Sequence, residues 1–260
     1  SSAMQAIKFD MDTSLHNLAN AASPGFKEII ANTIDAGYNN IQKAGARDGA
    51  DAFNKPIHVQ RGVGSKIVGT TRNLSNGMPH RTEDPLHLYI KGNGYFAILL
   101  PNGQTGYTRN GMFKVDENKR VVTQEGYSLL QEIRVPENVN VSDVKIAPDG
   151  TVTGIDNTDP TIVVPMQNLQ LFLFNNEQGL QNEGNYYLET ASSGDARPYA
   201  PGEANSGAGT LSSGEYEESN ISTTRALVNV IEKQTLYSTI TRAVEAIQEM
   251  KKAENSMYNP

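Results

Sequence analysis

Four histidines, His16, His58, His80 and His87, are the residues of this chain best suited to proton transfer or metal ligation, and their spacing marks no local metal site. No two stand four apart and no His-Glu-x-x-His run occurs, so no zinc-binding helix face is offered. Carboxylates number 29, but they sit mostly in turn-forming stretches such as "VDENKR" and "PDGT", where Asp bonds local backbone N–H groups. "APDGT" lacks the further oxygen ligands of a calcium loop, and no serine lies in a Gly-x-Ser-x-Gly elbow. The Gly-x-Gly of "IKGNGYF" has no third glycine and no helix after it, so it reads as a hairpin turn at Gly92, Asn93 and Gly94 rather than a phosphate cradle. The chain contains no cysteine, which removes disulfides, thiolate metal sites and cysteine nucleophiles together. The residues therefore give no positive sign of an enzyme, and no cofactor or metal is expected. A carboxylate pair of glycosidase type assembles in space, so a β-rich carbohydrate-active or peptidoglycan-active enzyme remains the alternative from another class.

The elements that would position these residues occupy a chain of 260 residues, long enough for one large or two small buried cores. A formal net charge of −7, with scattered Lys and Arg, argues against nucleic acid and anionic membrane surfaces as partners. No run of about 18 apolar residues is present, so direct membrane insertion is not expected, and no basic region followed by an apolar core opens the chain as a cleaved signal peptide would.

Met4, Ile7, Met11, Leu15 and Leu18 advance in steps of three and four, one stripe of a helix that should stop near Ala22, ahead of Ser23-Pro24-Gly25. Residues 27–80 read as a connector with partial helix around Ile30, Ile34 and Ile41, then short strands within Ile57–Thr71. Residues 81–214 alternate short β-type runs with Gly, Asn and Pro turns, the texture of an antiparallel all-β domain of meanders and hairpins. Its last part, 190–214, reads as a Gly/Ser-rich surface loop. Residues 215–260 carry the second helix, with Leu227, Val230, Tyr237, Ile240, Val244 and Ile247 at steps of three, four or seven and Ile231 beside them. Ser219, Asn220 and Ser222 offer its capping oxygens. The fold class is α+β, and two apolar stripes at opposite ends of the chain suggest that the ends meet, within one chain or between copies.

Three stretches carry a family resemblance. "NLANAASPGFK", with Asn17, Leu18, Ala19, Asn20, Gly25, Phe26 and Lys27, resembles the Asn-x-x-Asn signature and Gly-Phe-Lys ending of bacterial flagellar axial proteins. "IKGNGYFAILLPNGQTGYTRNGMFKV" resembles the block shared by rod and hook members, and "GEYEESNISTTRALVNVIEKQ" is similar to the signature before their C-terminal helix. Length and the segment "NLQLFLFNNEQGLQNEGNYYLETASSGDA" place the chain nearest the distal-rod branch, with a proximal-rod or hook paralogue as the near alternative. His16 stands where the family commonly has Asn, Asn-Ala-Ala-Ser-Pro-Gly replaces its Asn-Val-x-Thr-x-Gly, and "QEMKKAENSMYNP" departs from its usual ending.

The resemblance implies a non-enzymatic structural subunit, exported by the flagellar type III apparatus without a cleaved signal and polymerising into a hollow helical drive shaft across the periplasm. It implies that residues 1–26 and 215–260 pair as a coiled-coil-like inner domain around the export channel, with 81–214 as the outer domain. Met4, Ile7, Met11, Leu15, Leu18, Leu227, Val230, Ile231, Tyr237, Ile240, Val244 and Ile247 would then form the subunit interface. Proximal rod proteins, the hook protein and the periplasmic and outer-membrane ring proteins would be its partners.

Overall fold

In the computed structural model, which describes residues 2–42 and 59–258, the N-terminal stripe forms helix α1, Ser2–Ala19. It ends three residues before the expected Ala22, because Ser23 N–H turns back to the Asn20 carbonyl at 3.0 Å and closes a tight turn ahead of Pro24. The C-terminal stripe forms α2, Thr223–Tyr258. Of the three expected caps, Ser222 serves: its Oγ accepts from Arg225 N–H at 3.4 Å and its carbonyl from Ala226 N–H at 2.9 Å.

The chain divides into two units. Unit 1 comprises Ser1–Ala19, Ile29–Thr71 and Ser222–Pro260, and unit 2 comprises Asn20–Glu28 and Arg72–Ile221. Within unit 1, α1 and α2 pack together, and Lys233 of α2 forms an ion pair with Asp10 of α1. The helices have 18 and 36 residues, or about 27 and 54 Å at 1.5 Å per residue, so α1 can cover about half of α2.

The helix expected around Ile30 and Ile34 is not formed. Strands β1 (Ile29–Asp35), β2 (Tyr38–Gln42), β3 (Val59–Gly62) and β4 (Ser65–Arg72) occur instead, β1 pairing with β4 and β2 with β3. Ala36 N–H to Gly64 O (2.8 Å) and Val63 N–H to Gly37 O (2.9 Å) join the two pairs into one antiparallel ribbon. Competing signals explain the outcome: Ile29, Ile30, Thr33 and Ile34 are β-branched, and Gly37 takes φ +93, which no helix continues. The strand expected from Ile57 begins outside the described residues, as does His58.

Unit 2 contains β5 (Pro79–Arg81), β6 (Leu88–Lys91), β7 (Phe96–Leu99), β8 (Thr105–Thr108), β9 (Lys114–Val115), β10 (Val121–Val122) and β11 (Ser128–Leu129). β12 (Val139–Ile146), β13 (Val152–Asp156), β14 (Val163–Pro165), β15 (Leu171–Leu173) and β16 (Gln181–Glu183) follow. β17 (Tyr186–Leu188), β18 (Arg197–Tyr199), β19 (Thr210–Ser213) and β20 (Glu215–Glu217) complete it. One antiparallel sheet runs β16-β17-β8-β7-β11-β10-β9, a second runs β12-β13-β14, and β6 pairs with β19, β5 with β20 and β15 with β18.

Two local expectations change here. Gly92-Asn93-Gly94 is a corner rather than a hairpin: φ of +116 at Gly92 and +133 at Gly94 swing the chain from β6 into β7, which belongs to another sheet. Residues 190–214 contain β18 and β19, since Leu211 stands opposite Ile90 and carries an apolar side chain into the core.

Strand alternation gives β7 two interiors. Phe96 and Ile98 join a large aliphatic core with Leu88, Phe113, Leu129 and Leu171, while Ala97 and the preceding Tyr95 join an aromatic cluster with Tyr107, Phe172, Phe174 and Tyr187. Rings in that cluster meet edge to face, Tyr107 and Phe174 at 4.8 Å between centroids.

Candidate functional site

Three stretches far apart in sequence, 25–28, 72–77 and 215–220, meet inside unit 2 around one buried carboxylate. Glu217, at the end of β20, is 1% exposed, and the cations facing it, Lys27 and Arg109, are 3% and 4% exposed. Glu217 Oε1 accepts from Lys27 Nζ at 2.5 Å and from Gly77 N–H at 2.8 Å. Lys27 Nζ also donates to the Ser75 carbonyl at 2.8 Å. Arg109 Nε lies 3.6 Å from Glu217 Oε2, and its Nη2 donates to Asn76 Oδ1 (2.6 Å) and to the Gly92 carbonyl (2.7 Å). The Gly-Asn-Gly corner is therefore tied to the cluster through its first carbonyl. Burial pushes the Lys27 ammonium below the usual lysine range, while Glu217 beside it pulls the other way.

Backbone approach around the carboxylate leaves no room for side chains at two glycines. Gly25, at φ +70, donates to the Glu217 carbonyl at 2.7 Å, and a Cβ there would lie 2.6 Å from Asn110 N. A Cβ on Gly77 would lie 1.8 Å from the Glu218 carbonyl oxygen.

Asn220 extends the tie. Its Oδ1 accepts from Glu28 N–H at 2.8 Å, and its Nδ2 donates to the carbonyls of Asn73 (2.8 Å) and Ser75 (2.9 Å), so an expected helix cap instead links three stretches. Arg72, where β4 ends, donates through Nη2 to the carbonyls of Glu177 (2.5 Å) and Leu180 (2.9 Å), and its guanidinium lies 4.7 Å from the Tyr187 ring centre. The Gln178 amide pairs with the Arg72 backbone, accepting from its N–H at 3.0 Å and donating to its carbonyl at 2.7 Å.

The signature residues fall on both units. In unit 1, buried Asn17 acts as a surrogate strand for Ile29, donating to its carbonyl at 2.7 Å and accepting from its N–H at 3.0 Å. Leu18 and Ala19 end α1, Asn20 begins the turn, and half-buried Phe26 leads into Lys27. Among the twelve expected interface residues, Met4, Ile7, Met11, Leu18, Val230, Tyr237, Ile240 and Val244 are half-buried, while Leu15, Leu227, Ile231 and Ile247 are exposed. The residues that sequence reasoning did not single out are Arg72, Arg109 and Glu217, and Asn220 was marked only as a helix cap. Glu217 and Asn220 lie inside the quoted "EYEESN" and Arg109 inside "YTRNG", but the partners Lys27 and Glu217 are 190 positions apart and no local spacing connects them.

The cluster is suited to holding backbone in place, since most of its donors and acceptors bond backbone or one another, while Arg109 Nη1 and Glu217 Oε2 are buried without a hydrogen bond and the two side chains meet only through charge. His80 Nδ1 lies 2.9 Å from Glu218 Oε1 and His87 Nδ1 lies 2.8 Å from Thr82 Oγ1. Among the described residues no group of three His, Asp or Glu is placed to hold a metal ion, and no helix is long and apolar enough to cross a membrane. A surface cleft of about 430 Å³ lined by Gln104, Thr105, Tyr107, Gln181, Leu188 and Glu189 contains a single carboxylate.

The described residues thus hold an α+β fold whose buried charge cluster positions backbone. Residues 89–154 match the family described as the flagellar hook protein FlgE/F/G D1 domain. The chain is 34% identical over 257 residues to the flagellar basal-body rod protein FlgG of Caulobacter vibrioides, covering 98% of this chain and 96% of that one. To the FlgG of Borreliella burgdorferi it is 33% identical over 258 residues, again covering 98% and 96%. The flagellar hook protein FlgE of Escherichia coli is 27% identical over 175 residues, 61% of this chain and 39% of the hook protein. The chain belongs to the flagellar basal-body rod protein family, on its FlgG branch, and is a non-enzymatic structural subunit.

Proposed function

We propose that this subunit builds the distal rod, polymerising into a hollow helical shaft that transmits torque across the periplasm and surrounds the export channel. In the polymer, α1 and α2 pair in coiled-coil fashion with one another and with helices of neighbouring copies to line the channel, and unit 2 forms the outer wall. The type III apparatus exports the chain. Proximal rod proteins, the hook protein and the periplasmic and outer-membrane rings are its partners, and the ribbon of β1 to β4 sets the stiffness with which neighbouring copies are held.

The observation that carries this reading is the uncovered apolar surface of unit 1. Leu227, Ile231, Ile247 and Met250 on α2 are 50 to 63% exposed, and Ile34 and Val68 on the ribbon 56 and 61%. Covering the exposed half of such a side chain is worth roughly 1 kcal/mol, and contacts repeated along a helical polymer accumulate that gain. Electron microscopy of polymer grown from purified protein tests it: straight, unbending tubes are expected. Curved, flexible tubes would instead favour the hook paralogue.

A further inference from the structure

Resting on that reading of the chain as a polymer subunit, we propose that the Lys27, Arg109 and Glu217 cluster, extended by Asn220, is a mechanical tie that fixes the directions in which the chain enters and leaves unit 2. Every covalent path between the two units runs through four crossings, after residues 19, 28, 71 and 221. Within unit 2 the tie holds backbone within six residues of each. Gly25, six residues past the first crossing, and Lys27 bond to Glu217, and Glu28 N–H, at the second crossing, bonds to Asn220. Asn73 and Ser75, just beyond the third, accept from Asn220, and Glu217 and Asn220 themselves precede the fourth. Torque applied to unit 2 is thus delivered to four backbone passages held at one carboxylate and one amide.

The chemistry fits positioning better than bulk stabilisation. Taking two cations and a carboxylate out of water is costly, and apolar residues of similar volume often stabilise such a site as well or better. A hydrogen-bonded charge cluster instead admits one arrangement of its donors and acceptors, and here these include the amides of Gly77 and Glu28 and the carbonyls of Ser75, Asn73 and Gly92. These are positioning residues, so their removal should loosen the passages without dissolving the core.

The test uses the full chain with Lys27→Met, which keeps the stem and removes the ammonium, and Lys27→Arg, which keeps a cation. Hydrogen exchange at the Gly25, Glu28 and Gly77 amides is expected to accelerate on the order of 100-fold in Lys27→Met. Exchange in β6, β7 and β8 should change by less than about threefold. Its tubes should bend where wild-type tubes are straight, and Lys27→Arg should restore both readouts. Glu217→Gln, which retains an acceptor for Gly77, should loosen the same amides to a smaller degree and decides the matter if Lys27→Met does not fold. Loss of protection in β6 to β8 in step with the tie would overturn the positioning role. So would tubes as straight as wild type with the tie amides loosened. Wild-type protein that forms no tubes would overturn the assembly reading separately, leaving the exchange comparison to judge whether the tie acts locally.

Discussion

Among the described residues, unit 2 buries Phe96, Phe113, Leu129, Leu171 and most of the other large apolar side chains of the chain, whereas the apolar residues fully buried in unit 1 are two alanines, Ala6 and Ala226. The exposed large apolar residues show the reverse bias, with Leu15, Ile34, Val68, Leu227, Ile231 and Ile247 all in unit 1. The same residue types thus make a closed core in one unit and an open surface in the other. A two-stranded ribbon is marginal alone, and a helix gains most of its stability from packing one face. What the difference teaches is that unit 2 completes its core within one chain, while unit 1 has the surface of a part completed by further copies.

The strongest way to break that comparison is to damage the two units equally and compare the cost. Phe96→Ala, at a fully buried aromatic, should cost unit 2 about 3–5 kcal/mol, measured by chemical denaturation followed through tyrosine near-ultraviolet dichroism. Ile247→Ala, at a half-exposed position, should change monomer stability by less than about 0.5 kcal/mol in the same assay. Equal costs would mean that unit 1 already has a closed core in the monomer.

Alkali offers a second, smaller contrast. Burial pushes the Tyr107 phenol up to about 12, aided by Glu189, and raises Tyr95 and Tyr187 as well. The folded state therefore keeps protons that the unfolded chain gives up near pH 10, so this stabilisation is complete below about pH 10 and is lost as pH rises through about 12. Unit 2 should unfold across that window, with tyrosinate absorbance and loss of near-ultraviolet dichroism rising together. Ionisation of all eleven phenols near pH 10 with the dichroism intact would show that the aromatic cluster is open to water.

How much of this was legible in the sequence follows from the range over which each signal acts. The helices were, because Met4 to Leu18 and Leu227 to Ile247 repeat at a local period sustained over several turns. The β texture of unit 2 was legible too, but its pairings were not: β6 joins β19 and β5 joins β20 across more than a hundred residues. The ribbon was misread because Ile30 and Ile34, four apart, satisfy a helix and a two-residue strand period equally, and β-branching decided the case. At the site, Gly25 was legible as part of a helix stop and Lys27 was marked by resemblance alone, and Glu217 looked like one carboxylate among several until the fold brought it to Lys27.

A sharper form of the comparison places a charge on each helix. Leu18→Asp and Ile240→Asp should leave the melting of unit 2 within about 0.5 kcal/mol of wild type and abolish polymer formation, followed by sedimentation. If unit 2 collapses in either, the units are not separable.

The smallest expected effect concerns what holds α1 to α2. Asp10 and Lys233 form an ion pair whose side chains are each about a third exposed, so screening by water and salt should limit its value to about 0.2–1 kcal/mol. Asp10→Asn should accordingly lower polymer yield slightly at low ionic strength and not at all at high salt. Leu18→Asp should abolish assembly at both, because its loss is of apolar contact. Should Asp10→Asn prove as damaging as Leu18→Asp and its effect vanish with salt, charge would govern helix pairing. The apolar stripes would then be secondary, and the contrast between a closed unit 2 and an apolar, uncovered unit 1 would no longer explain why this chain assembles.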